Sequence, residues 1–223
     1  MPTVKTIHIS FSLSITNRQI PQWRGAFVEM AGREYELLHN HNNSDTTGNY
    51  HYRYPRIQYR VYKGKASLFA LGEGVDTLQE VLKKGDWNIV WEQKKISIRV
   101  EKVQVTDWVA EVRSTFTLYE VTDWIPFNQK NIKAWDACKG LVERGQLLER
   151  VLTSHLMACC YGIDWKPVER IEVFIQDFKE TSVRARGVVH RAFSVLYKTN
   201  INLPPYIGIG KSVSIGFGWH LPK

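Results

Sequence analysis

The chain has 223 residues, 43% of them hydrophobic, and a mean hydropathy of −0.30, which predicts one large or two small globular domains and argues against intrinsic disorder. It has no run of about 18 apolar residues and no basic-then-apolar amino terminus, so we expect no membrane span and no signal peptide, and a cytoplasmic location. The net charge of +8 favours a polyanionic partner.

The first half of the chain predicts one β-α-β-β-α-β unit. Alternation predicts a strand over 4–15, and helical spacing predicts a helix from about Asn17 to Leu38, weakened at Gly32. A strand, a strand, a helix and a strand follow, at residues 56–63, 66–71, 75–84 and 96–105. This order is typical of a ferredoxin-like domain, to which we assign residues 1–105.

The second half predicts the same organisation in a less complete form. A strand over 112–121 and a long helix over 137–160 come first, followed by strands over 168–176 and 183–197. The fold class is therefore α+β, with two tandem ferredoxin-like (RRM-like) domains. The second domain covers residues 106–223 and ends in a predicted glycine-rich hairpin.

The long helix of the second half places Leu141, Leu148, Leu152 and His155 along one stripe. His155 is thus predicted to be a satisfied core histidine. Cys138, Cys159 and Cys160 contain no CxxC pair, which fits a reducing compartment. Because no second ligand pair with suitable spacing accompanies His155 and Cys159, we predict no metal and no cofactor.

A basic, tyrosine-rich stretch in the first half indicates RNA binding. No acidic residue occurs between Asp45 and Glu73, and cations alternate with tyrosines over Tyr50–Lys65. Cations neutralise phosphates and rings stack on bases, as a single-stranded RNA surface requires. Strand alternation predicts an open binding face that includes Arg56 and Arg60. The cations predicted to bind RNA are Arg53, Arg56, Arg60 and Lys63, with Arg184 and Arg186 from the second half, where charges on an edge strand could instead prevent aggregation.

Two glycine-hydrophobe-glycine triplets, Gly208–Gly210 and Gly216–Gly218, lie near residue 223. Glycine permits sharp turns and exposes N–H groups to phosphate oxygens, so the triplets predict an anion-binding loop. The nucleotide fingerprints fail, because Val213 stands where GxGxxG needs glycine and Pro205 stands where a P-loop needs it. The residues predicted to bind RNA here are Gly208, Gly210, Lys211, Gly216 and Gly218.

His39 and His41 follow the predicted first helix and precede the basic stretch. Imidazoles are the usual acid–base groups near pH 7, so two of them permit a base and an acid. RNA carries its own nucleophile in the 2′-hydroxyl, and an enzyme then needs only proton transfer and charge stabilisation, without a metal. The simpler alternative is a polar loop without catalytic function.

Taken together, these features resemble the CRISPR repeat-processing endoribonucleases, the Cas-six family of the repeat-associated mysterious protein superfamily. The glycine triplets carry the most specific similarity, and Trp23–Phe27 is similar to a weaker family trait. The resemblance is greatest to the subtype-b branch. It implies cleavage of precursor CRISPR RNA within each repeat, without metal, leaving 2′,3′-cyclic phosphate and 5′-hydroxyl ends.

The same resemblance implies roles for individual residues. Paired histidines and a following tyrosine carry cleavage in the subtype-b branch, which implies His39, His41 and Tyr50, with Tyr52 as an alternative to Tyr50. The implied partners are CRISPR repeat RNA and other effector-complex subunits, and a homodimer stays open. The alternative function is a non-catalytic subunit that binds the repeat or scaffolds a complex.

The chain departs from the family pattern in one respect. Members often supply a lysine near the histidines, but no lysine occurs between Lys5 and Lys63. Arg33, Arg53 or Arg56 would then have to stabilise the phosphate, with a planar fork instead of a mobile ammonium.

Overall fold

The computed structural model describes residues 1–39, 54–85 and 87–223. The chain divides into two compact units. The N-terminal unit consists of Val4–Trp108 together with Ser214–Gly216. The C-terminal unit consists of Met1–Thr3, Val109–Val213 and Phe217–Lys223. Residues Ser214–Gly216, in the middle of the glycine-rich segment, therefore belong to the N-terminal unit although they follow most of the C-terminal unit in the sequence.

The N-terminal unit has the strand order of a ferredoxin-like domain. Its elements are β1 (Thr3–Ser14), α1 (Ile20–Ala31), α2 (Glu36–His39), β2 (Ile57–Tyr62), β3 (Lys65–Leu71), α3 (Glu73–Lys83), β4 (Asn88–Trp91), β5 (Lys94–Ser97) and β6 (Val100–Val109). The main sheet has the order β2-β3-β1-β6, and β4 and β5 form a separate hairpin that sequence analysis missed. The predicted ferredoxin-like class is confirmed for this unit.

Two predicted elements of this unit are split in the structure. The helix predicted from Asn17 to Leu38 is a 3-10 turn at Asn17–Gln19 followed by α1 and α2. The break falls at Gly32, whose φ of 108° is left-handed and disfavours other residues. The strand predicted over 96–105 is interrupted between β5 and β6 because its pairing partner changes there. The Ile98 N–H donates to the Trp87 carbonyl at 2.9 Å, in line with the β4–β5 pairing, whereas the next carbonyl, of Arg99, accepts from the Ser12 N–H of β1 at 2.9 Å.

Aromatic packing between α1 and the sheet forms the core of the N-terminal unit. The Phe11 ring on β1 lies 5.1 Å from Trp23 and 5.8 Å from Phe27, measured between ring centroids. The Trp23 indole N–H donates to the Ser67 carbonyl at 3.4 Å, so its polar atom is satisfied where the ring is buried. Burial of such rings dominates core energetics and fixes α1 on the sheet.

The C-terminal unit repeats the ferredoxin-like order. Its elements are β7 (Glu111–Trp124), α4 (Gln129–Ala137), α5 (Leu141–Gly162), β8 (Val173–Ala185), β9 (Val188–Asn202) and β10 (Trp219–Pro222). The sheet order is β10-β7-β9-β8. β8 is longer than predicted and both strands begin five residues later than predicted; they join at Arg186–Gly187, where both φ angles are positive, as a two-residue hairpin turn requires.

The helical layer of this unit differs from the predicted single helix. Sequence analysis missed α4, which begins after Asn128, whose side chain caps the helix by accepting from the Asn131 N–H at 2.9 Å. On α5, Leu148 and Leu152 are buried as predicted, but Leu141 is 73% exposed and lies off the buried stripe. Within the described ranges, no helix combines the length and apolar character needed to cross a bilayer.

The predicted glycine-rich hairpin is not confirmed. The segment contains a 3-10 turn at Val213–Ile215, and β10 pairs with β7. Gly208 meets Trp219 in an isolated bridge. The segment is thus folded mainly by contacts with distant strands.

Candidate functional site

His39 is the last residue of α2 and is half-buried. The Arg24 guanidinium on α1 donates to the main-chain carbonyl of His39. The Tyr59 hydroxyl on β2 donates to the neighbouring Leu38 carbonyl at 3.3 Å, and the Arg24 guanidinium lies 5.8 Å from the Tyr59 ring centroid. Two elements therefore hold the last described residues of α2 through their main-chain carbonyls.

The second predicted histidine, His41, lies outside the described residues, as do Tyr50, its alternative Tyr52, and Arg53. Their roles stay predictions. Of the predicted catalytic set, the structure describes His39.

The predicted open face of β2 is wrong. Arg60 is fully buried, donates to the Gln58 side-chain carbonyl and lies 5.6 Å from the Phe69 ring centroid. Burial lowers the pKa of Arg60 to about 9. The alternation of β2 was read correctly, but the second face of this strand is covered, as the full burial of Gln58 also shows.

The other predicted cations of this unit have different settings. The Arg56 side chain is 13% exposed, with its Nε 3.6 Å from a Glu73 carboxylate oxygen. Lys63 is exposed in the turn between β2 and β3, and its ammonium lies 5.6 Å from the Tyr62 ring centroid. Lys63 is therefore the more accessible cation of the two.

Arg184 and Arg186 are exposed near the tip of the β8–β9 hairpin. Arg184 donates to the Gly187 carbonyl at 3.5 Å, and Arg186 occupies a turn position with φ of 50°. Both side chains are accessible to a polyanion.

The glycine triplets serve close packing in the C-terminal unit. A Cβ on Gly210 would lie 2.7 Å from the Trp124 ring, and one on Gly218 would lie 1.9 Å from the Ile209 carbonyl oxygen. Main-chain N–H groups of this segment already donate to main-chain carbonyls. The Ile209 N–H donates to Gly218 at 2.7 Å, the Gly218 N–H to Asp123 at 3.3 Å and the Lys211 N–H to Ile125 at 3.2 Å. These three N–H groups are not bare, contrary to the prediction of an anion-binding loop.

Gly216 belongs to the N-terminal unit and packs beside the elements that hold His39. Its φ is 93°, and a Cβ there would lie 2.5 Å from the Ile20 side chain and 3.3 Å from the Tyr59 carbonyl oxygen. Because the Tyr59 hydroxyl also binds the carbonyl of Leu38, one tyrosine contacts both the glycine-rich segment and the helix that ends in His39. The structure thus brings together two predicted features that are far apart in the sequence.

Sequence reasoning missed a polar pocket in the C-terminal unit, with a volume of about 290 Å³. Its polar lining residues are Asn128, Asn131, Arg150, Ser154, His155 and Lys211. The signal that could have found it is the spacing of Arg150, Ser154 and His155, four or five residues apart and thus on one face of α5.

The His155 ring has a hydrogen-bond partner, as predicted, and it also lines this pocket. The Trp124 indole N–H donates to its Nδ1 at 3.1 Å. Burial, and to a smaller extent the charge of Lys211, lower the pKa of His155 to about 4. The ring is therefore neutral at pH 7, with its proton on Nε2.

The cysteines have structural settings. Burial raises the pKa of the Cys160 thiol to about 12, and the Cys159 thiol lies 3.4 Å from the Gly208 carbonyl oxygen. Since the thiolate is the nucleophilic form, Cys160 is unreactive near neutral pH. Among residues 1–39, 54–85 and 87–223, no three His, Cys, Asp or Glu side chains are grouped as metal ligands.

Two tandem ferredoxin-like units define the structural class of the chain, and a solved structure described as an RAMP protein binding different RNA substrates shares this fold with a TM-score of 0.54 at 11% identity. Within this class the chain belongs to the Cas6b family: the Cas6b N-terminal domain matches residues 2–108 and the Cas6b C-terminal domain matches residues 111–220. Membership of this family supports CRISPR RNA processing endoribonuclease activity.

Solved structures of Cas6b proteins have the same fold. One crystal structure of Cas6b matches with a TM-score of 0.87 at 21% identity, and one of the CRISPR RNA processing endoribonuclease Cas6b matches with a TM-score of 0.74 at 19% identity. Both matches cover 100% of each chain. A relative in Methanocaldococcus jannaschii, named uncharacterized protein MJ0978, is 26% identical over 140 residues, which are 58% of this chain and 93% of the relative.

Proposed function

We propose that the chain is a metal-independent endoribonuclease that cleaves precursor CRISPR RNA within its repeats. The observation that carries this proposal is the anchoring of His39. Arg24 donates to the carbonyl of His39 and Tyr59 to the carbonyl of Leu38. Tyr59 also packs against Gly216 of the glycine-rich segment. A histidine whose main chain is held beside a segment predicted to bind RNA suits general acid–base catalysis, which depends on where the imidazole is placed.

The proposed reaction is an internal transfer at phosphorus. The 2′-hydroxyl loses its proton to one histidine as its oxygen attacks the adjacent phosphorus, and the bond to the 5′-oxygen breaks. The other histidine protonates that departing oxygen. His39 and His41 share these two roles, and Tyr50, or Tyr52 in its place, positions the phosphate. The products are a 2′,3′-cyclic phosphate and a 5′-hydroxyl, so protons and electrons balance without a metal.

Negative charge on the phosphate oxygens requires a cation in the absence of a nearby lysine. Arg33 is engaged with Glu29, one helical turn away, and Arg56 has Glu73 at 3.6 Å. Arg53 is therefore the proposed stabilising residue among the three arginines.

The test uses end-labelled repeat RNA and the purified chain in EDTA. We expect cleavage at one position, with a cyclic phosphate identified by product mass, and no cleavage when that position carries a 2′-deoxy substitution. His39→Ala and His41→Ala should each lower the single-turnover cleavage rate by about 10²–10⁴-fold while RNA is still bound. Glu36→Ala, an exposed change on the same short helix, is the matched control and should cleave normally.

The outcomes separate the candidate functions. Binding of the repeat without cleavage by the wild-type chain would support the non-catalytic binding subunit and refute the enzyme. A requirement for Mg²⁺, or products with a free 3′-hydroxyl, would refute the proposed mechanism.

A further inference from the structure

The polar pocket of the C-terminal unit is rich in hydrogen-bond donors. Arg150 on α5 and Lys211 in the glycine-rich segment line it, together with Asn128 and Asn131 at the start of α4. The Asn128 side-chain oxygen already accepts from the Asn131 main-chain N–H, so the group that Asn128 has left for a ligand is its amide NH₂. The pocket therefore offers mainly positive or donating groups.

His155 adds another donor of fixed identity. Because its Nδ1 accepts from the Trp124 indole, the neutral ring carries its proton on Nε2. Ser154 donates its hydroxyl proton to the Arg150 carbonyl at 2.9 Å, the ordinary back-bond of a helical serine. A ligand that accepts several hydrogen bonds matches this set of donors.

The charges of the pocket specify an anion. No carboxylate is among its lining residues. Arg150 and Lys211 form no ion pair with any residue in the ranges that the structure describes. Both residues are exposed and line one cavity, so an anion bound there would be attracted by two cations, with the attraction screened by solvent.

The size and walls of the pocket narrow the class of anion. A volume of about 290 Å³ is many times the ~30 Å³ share of one water molecule and approaches the lower limit of roughly 300 Å³ for small-ligand sites. Pro126 and Val151 supply apolar contact beside the donors. A single nucleotide, with an anionic phosphate and a partly apolar sugar and base, fits this combination better than a bare ion.

We propose that this pocket binds the phosphate of one nucleotide of the RNA, outside the His39 site. The assignment of that nucleotide to RNA rests on the proposed function. Lys211 supports RNA as the source, since it belongs to the glycine-rich segment that also supplies Gly216 to the N-terminal unit. A free mononucleotide has the same phosphate chemistry, so the test must distinguish the two sources.

The first measurement is the affinity for labelled repeat RNA in EDTA over a salt series. Arg150→Gln should raise the Kd about 10-fold and reduce the slope of log K against log salt by about 0.7, the loss of one phosphate contact on a single strand. Arg170→Gln removes an exposed arginine outside the pocket and is the matched control. Lys211→Gln and exposed Lys166→Gln form a second matched pair.

The second measurement identifies the source of the phosphate. Inorganic phosphate and AMP are each titrated at constant ionic strength, and the ring signals of His155 are followed by NMR in the wild-type chain and in Arg150→Gln. Repeat RNA should shift these signals at far lower concentrations than AMP, and the shift should be weaker in the variant. AMP acting at the lower concentration would refute the RNA assignment in favour of a mononucleotide.

Failure of this inference is distinguishable from failure of the proposed function. If the wild-type chain binds and cleaves the repeat while Arg150→Gln matches Arg170→Gln in affinity and salt slope, the pocket is not an RNA site and the endoribonuclease proposal stands. If the wild-type chain binds no repeat RNA, the RNA assignment falls with the proposed function. A response of His155 to inorganic phosphate alone would then mark a general anion pocket.

Discussion

The N-terminal and C-terminal units have the same strand order, but His39 of the first unit is held in a different way from His155 and His220 of the second. In the N-terminal unit, Arg24 binds the main-chain carbonyl of His39 at the end of a short helix. In the C-terminal unit the rings themselves are bound: the His220 Nδ1 lies 2.6 Å from the Tyr197 hydroxyl, and His155 accepts from Trp124. His220 is fully buried and stacks on Tyr119 with ring centroids 4.2 Å apart.

This contrast teaches that environment, and not residue type, assigns a histidine its role. Burial lowers the pKa of His220 to about 3 and contributes most to lowering that of His155 to about 4, so both rings are neutral at pH 7. His39, held through its backbone, is the described histidine to which the proposed chemistry gives a role. Variants in the two units test whether the buried histidines and glycines of the C-terminal unit control stability while the contacts of His39 control cleavage.

The largest effect is expected at Gly218, beside the strand that carries His220. Gly218→Ala places a Cβ 1.9 Å from the Ile209 carbonyl oxygen at a φ of 68°, so the main chain must move. We expect the free energy of unfolding to fall by about 3 kcal/mol or more, measured by urea denaturation. Gly187→Ala is the control, because its φ of 80° is similar but no atom lies within 4 Å, and it should cost only about 1 kcal/mol. Equal losses would mean that close packing of the glycine-rich segment does not stabilise the C-terminal unit.

The pH dependence of stability should report His220. Its folded pKa of about 3 lies below the unfolded value near 6.5, so the unfolded chain takes up a proton first and stability falls as pH falls. Between pH 7 and pH 5 this residue should reduce the free energy of unfolding by about 2 kcal/mol. His220→Gln should remove that part of the pH dependence in urea titrations. An unchanged pH dependence would contradict the structural role assigned to this ring.

A smaller effect is expected on catalysis when the anchor of His39 is removed. Arg24→Gln should lower the single-turnover cleavage rate at saturating repeat RNA about 10-fold, because α2 loses its fixed end. Exposed Arg18→Gln, in the preceding 3-10 turn, removes the same charge and should leave the rate unchanged. A rate loss in Arg18→Gln equal to that in Arg24→Gln would show a general charge effect and remove the anchoring argument.

The smallest effect is expected within α1. Gly25 lies in this helix with no atom within 4 Å of a Cβ, so Gly25→Ala should raise the free energy of unfolding by about 0.5–1 kcal/mol. Gly32→Ala, at a φ of 108°, should lower it. Thermal unfolding of both variants measures these two changes in the free energy of unfolding. Destabilisation by Gly25→Ala would mean that α1 tolerates less change than its packing indicates.

Much of the fold was predictable because it depends on local patterns. Apolar alternation located β1, β2 and β3, and helical spacing located α5, to within a few residues, and helical spacing also found α1 but placed its end at Leu38 instead of Ala31. Elements with weaker local patterns were not predictable in the same way. The short helix α4 depends on the Asn128 cap. The strand β8 runs through a polar stretch and pairs with β9 along its length. A strand that obtains its hydrogen bonds from a distant partner need not have a strongly alternating sequence.

The sequence by itself determined two ferredoxin-like units, a histidine at the end of the first helical region and glycines where the main chain packs closely, since these depend on residue type and short-range spacing. Tertiary structure alone decided that Arg60 is buried, that Gly216 contacts Tyr59, and that Arg150 and Lys211 line one pocket. The physical reason is that these contacts join residues far apart in the chain. Packing, and not local periodicity, selects such neighbours.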